Sequence, residues 1–532
     1  MSAHTFSQDW EWVRSIGGYD MDLCKAVATD NLGNIYVLGE YHSSSMFSQL
    51  DTLPLIGSKD CFLMKLDKNG DEHWIKRIGS TKLNIDSGEY VSRLVIDTVN
   101  NSIYVSGMFF ANLLVDTVYI TGSPLFRNYF VAKFDSDGHC LWVNNAGSCG
   151  SAGVNSLLIE SNGNVVTLIH NKGGGTISGL PVVPGLVMVK MDPNGNIFMA
   201  KSISPNSSGS ISSINNDYVI SGVTDDGIDS VQIDTIKLKT HGFSHDIFIS
   251  RFDSSGNVKW AQVAGGAGFD FVSGVRVDGQ NNIYTYGYTY GQSNNTCYFQ
   301  NDSIVSPNGT DVYLYKCDEN GTLIWLKSLQ TSITGNSGYA VGLDVNDNVY
   351  INGTFSGSAV FGNDTISASS VLDMFITAYS PSGVCLGADH LQQTEGLSLA
   401  IDFEGNVVAV GNFGYQIIAG NDTVQTVALD DGYIIKRASF ATGIVEQRLK
   451  KNNLVIYANP TTGICRVQLP LEFQNEQELY FNLIDNSGRV LESKIINKEN
   501  GLELNLNTYA KGIYIVTLSS KTASYKGNVV FE

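Results

Sequence analysis

At 532 residues, 43% apolar and 10% aromatic, the chain is long enough for several domains or one repeat array and has the composition of a packed protein, not a disordered one. A formal charge of −19 at pH 7 argues against a nucleic-acid partner, which needs clustered Lys and Arg. No apolar run approaches the roughly 18 residues of a membrane helix.

The first residues, MSAHTFSQDW, lack the charged and apolar regions of a signal peptide, so the protein is either cytoplasmic or numbered after a removed leader. EWVRSIGG (11–18) then matches the end of a phrase that recurs: KLDKNGDEHWIKRIGS (65–80), KFDSDGHCLWVNNAGS (133–148), a worn KMDPNGNIFMAKSISP (190–205), RFDSSGNVKWAQVAGG (251–266) and KCDENGTLIWLKSLQT (316–331). A second phrase, such as AVATDNLGNIYVLG (26–39) or VRVDGQNNIYTYG (275–287), occurs seven times, giving a period of about 60 residues. Apolar and polar residues alternate in short runs between Asp, Asn and Gly turns, which is strand chemistry. In the first unit the strands are expected near 23–29, 34–40, 61–66 and 73–78, with Asp67 and Gly70 turning the last hairpin. Four antiparallel strands repeated radially predict an all-β, seven-bladed β-propeller over residues 8–446. Trp12, Trp74, Trp142, Trp260 and Trp325 are the structural repeat residues, expected to fill the gaps between blades, with Met199 in the worn copy.

The ring must close. The last unit has a third strand, GYIIKRA (432–438), followed by a weak GIVEQR (443–448) without tryptophan. Residues 11–16 are expected to complete the seventh blade; the alternative is that GIVEQR completes it and the N-terminal strand lies outside. After a polar linker, QRLKKNN (447–453), residues 454–532 read as six or seven strands with turns at Pro460, 486–488 and 511–512, suiting a small Ig-like β-sandwich. The eight cysteines, Cys24, Cys61, Cys140, Cys149, Cys297, Cys317, Cys385 and Cys465, form no C-x-x-C pair; buried thiols are expected, with isolated disulfides as the alternative.

The unit pattern D-x-x-G-N-x-Y-x-x-G followed by D-x-F-x-x-K-x-D-x-x-G-x-x-x-W resembles the secreted seven-bladed propeller repeat proteins of Bacteroidota. The tail resembles the C-terminal sorting domain of the type IX secretion system. Matching positions are Tyr457, Asn459, Pro460, Thr461, Thr462 and Gly463, then Gly488 with Arg489, then Lys511, Gly512 and Tyr514. The family's Pro is replaced by Ala458, and its final basic residue gives way to Phe531 and Glu532. The resemblance implies the type IX secretion machinery as a partner, a secreted or outer-surface location, and a leader removed before this numbering begins.

Function is expected on the face that collects the fourth-to-first and second-to-third connections, because these are longer and more varied than the tight turns opposite. Its candidate ligand residues are Asp20, Asp22, Asp86, Glu89, Tyr90, Asp270, Tyr339 and His390, with solvated loop charge as the plainer reading. Six second-to-third connections carry Asp-Thr or Asp-Ser before a branched residue, at Thr52, Thr117, Thr235, Ser303, Thr365 and Thr423. These resemble the O-glycosylation signal of Bacteroidota, although an Asp-initiated turn explains the pattern equally. The chain has no G-x-S-x-G elbow, H-E-x-x-H helix or phosphate loop, so no catalytic residue, metal ligand or cofactor is assigned. His241 and His245, four apart in a Gly-containing loop, do not share a helix face. The expected function is non-catalytic binding or adhesion with a glycan or surface-protein ligand; the alternative is a glycan hydrolase or lyase using carboxylates at the central mouth.

Overall fold

The computed structural model describes residues 9–80, 88–98, 100–149, 154–171, 173–205, 208–224, 227–242, 244–292, 294–307, 309–329, 337–368, 372–420, 422–440, 454–457, 461–468, 479–485, 490–496, 502–519 and 524–532. The candidates Asp86, Asn459, Pro460, Gly488 and Arg489, the 447–453 linker and GIVEQR lie outside them. The chain divides into two compact units, Met1–Phe440 and Ala441–Glu532. No helix occurs among the described residues, and none is long and apolar enough to cross a membrane.

In the first repeat, Asp22–Thr29, Ile35–Tyr41, Asp60–Leu66 and Glu72–Gly79 pair antiparallel in succession. The described strands of the larger unit form seven such four-stranded sets. The first strand of each set touches the first strand of the next, and Thr394–Ile401 of the last touches Asp22–Thr29 of the first. A closed circle of radial sheets is a β-propeller. In the seventh set the fourth place is taken by Trp10–Ile16, which pairs with Asp431–Arg437 in the register Val13↔Ile435 and Ile16↔Gly432.

The turns follow from the Asp-x-x-Gly spacing. Asp67 Oδ1 accepts the backbone N–H groups of Asn69 and Asp71 at 2.8 and 3.0 Å, and Gly70 adopts φ 82°, a left-handed conformation that costs glycine little. Asp135, Asp192, Asp253 and Asp318 repeat the bonds at i+2 and i+4.

Seven apolar cores lie between successive sets. One joins Val408, Val410 and Ile434 of the seventh to Val27, Val37 and Phe62 of the first, with Trp12 and Ile16 among them. The tryptophans stand at the outer ends of these seams. Trp74 Nε1 donates to Ser136 O of the next set at 3.3 Å, and a Cβ on Gly138 would lie 3.0 Å from the Trp74 ring. Trp142 is placed likewise against Pro193 O and Gly195, Trp260 against Glu319 O and Gly321, and Trp325 against Pro381 O and Gly383. Trp12 makes the same contacts with Lys68 O and Gly70, so the N-terminal strand carries the seventh-to-first contact.

Each second-to-third connection holds a two-stranded hairpin, and some shield the outer edge of the preceding set, as where Leu114 and Val115 pair with Gly79 and Ile78. Seven described cysteines are free thiols.

The smaller unit packs two sheets, one of three strands and one of four, around Val467, Leu504, Phe481, Val516 and Val529. Thr461 ties its opening motif to its last strand: its N–H donates to Val530 O at 2.8 Å and its carbonyl accepts from Glu532 N at 3.0 Å. Gly463 O accepts from Leu506 N at 2.7 Å.

Candidate functional site

The antiparallel order of each set sends the fourth-to-first and second-to-third connections to one face. The acids at strand starts on that face are buried. Asp22 accepts Ser43 Oγ at 2.8 Å and His42 N at 3.0 Å, and desolvation still raises its pKa. Asp20, exposed beside it, accepts Met21 N at 2.9 Å. Asp270 is fully buried and accepts Gly266 N at 2.8 Å; desolvation, reinforced by the charge of Asp246, pushes it up to about 7. Glu89 is also fully buried, and desolvation followed by the neighbouring Asp60 charge raises it to about 8.

Tyr90 lies between two cations, with Lys59 Nζ at 3.0 Å and the Arg127 guanidinium at 4.5 Å from its ring centroid. Lys59 also bonds Glu40 at 2.9 Å in a buried ion pair that nothing in the repeat phrases signals. Tyr339 donates to Glu395 Oε1 at 2.6 Å. His390 sits 4.0 Å from Asp373 and edge-on to Phe355. The described candidates therefore belong to separate clusters, at the seventh-to-first, first-to-second, fourth-to-fifth and sixth-to-seventh seams. They are not gathered into one centre.

A second set of acids, missed in the sequence reading, opens the third strands. Asp60 accepts Ile56 N at 2.9 Å, Asp246 accepts His241 N at 2.6 Å, and Asp431 accepts Val427 N at 2.8 Å, each fastening the connection that precedes it. The signal was the Gly in RIGS, VAGG and SIGG: a Cβ on Gly79, Gly265 or Gly17 would meet Oδ1 of Asp60, Asp246 or Asp431 at 2.4, 1.9 or 2.1 Å. His241 stacks on Tyr298, and His245 lies between Phe269 and Phe271, so each imidazole already has aromatic neighbours. Among the described residues no group of three His, Cys, Asp or Glu has metal-holding geometry.

Among the described residues, the loop-rich face exposes several aromatic rings. Tyr19 is 69% exposed, Tyr415 66%, Tyr290 51% and Phe269 39%, and Phe269 pairs with Tyr290 across neighbouring strands.

Thr52, Thr117, Thr235, Ser303, Thr365 and Thr423 are all exposed on the hairpins. Their Asp neighbours have local partners: Asp116 accepts Cys140 N at 3.1 Å, Asp234 accepts Val258 N at 3.1 Å, and Asp422 accepts Arg14 Nη1 at 2.8 Å.

In the smaller unit, Tyr457 lies in the strand Val455–Tyr457 and Thr462 follows Thr461 toward Gly463. Lys511, Gly512 and Tyr514 line a cavity of about 260 Å³ with Asp485, Leu491 and Tyr509; Tyr514 is buried and donates to Ala510 O, while Lys511 is exposed.

The chain is 23% identical over 500 residues to an uncharacterized WD repeat-containing protein, L264, of Acanthamoeba polyphaga mimivirus, covering 82% of this chain and 33% of that protein. It thus spans about a third of the length of that curated relative. Among solved structures it is similar to the Dos1 propeller, at 8% identity and a TM-score of 0.39, covering 81% of this chain and 95% of the other. A mutant puromycin hydrolase complexed with PGG matches at 9% identity and a TM-score of 0.37, covering 76% of this chain and 58% of the other. Residues 455–532 match the family model of the secretion system C-terminal sorting domain, so the chain carries a type IX sorting domain behind its propeller and is a secreted or outer-surface protein.

Proposed function

We propose that the propeller is a non-catalytic binding module whose loop-rich face takes a glycan. The carrying observation is the set of exposed aromatic rings, Tyr19, Phe269, Tyr290 and Tyr415, on that face of a protein bearing an export domain. Rings with an apolar body and, for Tyr, a polar tip suit the faces and hydroxyls of sugars. Binding is favoured over the hydrolase or lyase alternative because Asp22 and Asp270 are buried and committed to backbone donors at different seams, whereas glycoside hydrolysis needs two carboxyls facing one bond. The six exposed hairpin hydroxyls support a second reading, in which the protein itself carries sugars.

A glycan-array screen of the full chain, run with a product assay, tests this. The expected result is binding without product, weakened about tenfold or more in Tyr19→Ala or Tyr415→Ala. Product formation would establish the enzyme alternative, and silence across the array would end the lectin reading. Intact mass of the same preparation from a secreting host decides the second: added hexoses support it and an unmodified mass ends it.

A further inference from the structure

The seven innermost strands enclose an axial channel. Pairing with equivalent second-strand positions places Arg93 (opposite Ser106) at one level of the ring and Arg276 (opposite Tyr284) at the next, two residues or about 7 Å along the strand. Their chain neighbours Leu94 and Val275 are buried in the seams, whereas both arginines are exposed. On an innermost strand whose sheet packs against neighbours on both sides, that exposure is to the channel. The other residues at Arg93's level are Ala26, Ser156, Ser210, Gly274, Ala340 and Ser398, and the six at Arg276's level are likewise uncharged.

Each guanidinium donates from Nη1 to the carbonyl of the preceding residue, Ser92 or Val275, at 2.9 Å, and among the described residues neither meets a carboxylate. Among the described residues, the channel wall supplies no acid at either level. Arg93 is accordingly pushed down to about 10 by desolvation and then by the charge of Arg276, and desolvation lowers Arg276 as well. The fold does not need these cations, since six of the seven sets manage with small or apolar residues at each level. Nor does the overall composition favour leaving them unpaired, because the chain has 52 acidic residues against 33 basic ones. Two guanidiniums with most of their ten N–H donors unused, facing a space walled at these levels by small and apolar residues, match the forked acceptor geometry of an oxyanion.

We infer that Arg93 and Arg276 form an anion site in the propeller channel, which takes a small oxyanion, either free inorganic phosphate or the carboxylate of an acidic sugar. The site is independent of the aromatic loop face, so neutral-glycan binding can fail without affecting it.

Isothermal titration of the full chain with sodium phosphate and with sodium glucuronate, at constant ionic strength in chloride, tests the site. The expected result is one saturable site per chain, weakened about tenfold or more in Arg93→Gln and in Arg276→Gln. The melting temperature in chloride should be kept or raised in both, because a like-charge neighbour has been removed. Arg93→Lys, which keeps the charge and the fold but loses the fork, should be intermediate. Saturation by phosphate alone identifies a free ion, and by glucuronate alone a carboxylate borne on a sugar; either supports the site. No saturable heat with either probe, or unchanged affinity in both Gln variants, overturns it.

Discussion

At the scale of single residues, the tryptophan and the glycine of the D-x-x-G-x-x-x-W phrase make one interaction between neighbouring sets, not two features of one hairpin. Trp74 lies over Gly138 of the next set and donates to Ser136 O. Trp74→Ala should therefore cost about 2–4 kcal/mol in urea unfolding, below a fully buried Trp because the ring is only half-buried. Gly138→Val should also destabilise, by crowding the ring and by forcing a branched side chain to φ 83°. An unchanged midpoint in both variants would leave the seam without this wedge. The tryptophans were legible because they recur; Arg93 and Arg276 were not, because each breaks its own repeat once and periodicity carries no information about an exception. The Lys59–Glu40 pair was hidden for the same reason.

At the scale of elements, hairpins and turns were legible wherever Asp, Gly and Asn stand at fixed offsets, since those residues satisfy the backbone locally. The extra two-stranded hairpin in each second-to-third connection was harder to place, because its pairing with the preceding set depends on contacts between units. Burial of the strand-opening acids was not legible either, because a carboxylate beside a loop reads as solvated until the neighbouring set is in place. That burial has a consequence for pH. Desolvation raises Asp246 and Asp431 to about 6, Asp270 to about 7 and Glu89 to about 8, all above their values in an unfolded chain. Over that range the folded protein binds more protons than the unfolded one, so these groups contribute stability that is lost as pH rises from about 4 through 8. The turn acids act oppositely. Asp253, although desolvation raises it, is held below its usual value by the N–H groups of Asn257 and Ser255, and Asp192 is lowered by the side chain and backbone of Asn196. Their contribution is lost as pH falls through the acid range. Urea midpoints measured from pH 3 to pH 9 should peak near pH 5 and decline toward pH 8; a flat or rising profile between pH 5 and 8 would contradict the burial of these acids.

At the scale of the whole molecule, a sheet of four short strands is marginal alone, and the apolar cores between sets hold the circle together. Such a circle has one weak point, where the propeller's first and last strands meet. The seventh set contributes three consecutive strands of its own, and Trp10–Ile16 supplies the fourth from the other end of the propeller. Three contacts make that strand part of the ring: Trp12 over Gly70, Arg14 donating to Gly70 O at 3.2 Å, and Gly17 leaving space for Asp431. The seventh-to-first core depends on Trp12 and Ile16, and the sixth-to-seventh core includes Trp10 and Val13.

Deleting residues 1–16 from the full chain and measuring urea unfolding against the intact protein tests this closure most directly. Loss of two nearly buried tryptophans and a paired strand should lower stability by at least about 4 kcal/mol and broaden or split the transition as the opened sets uncouple. A deletion variant with the midpoint and cooperativity of the intact chain would show that the ring does not depend on its N-terminal strand.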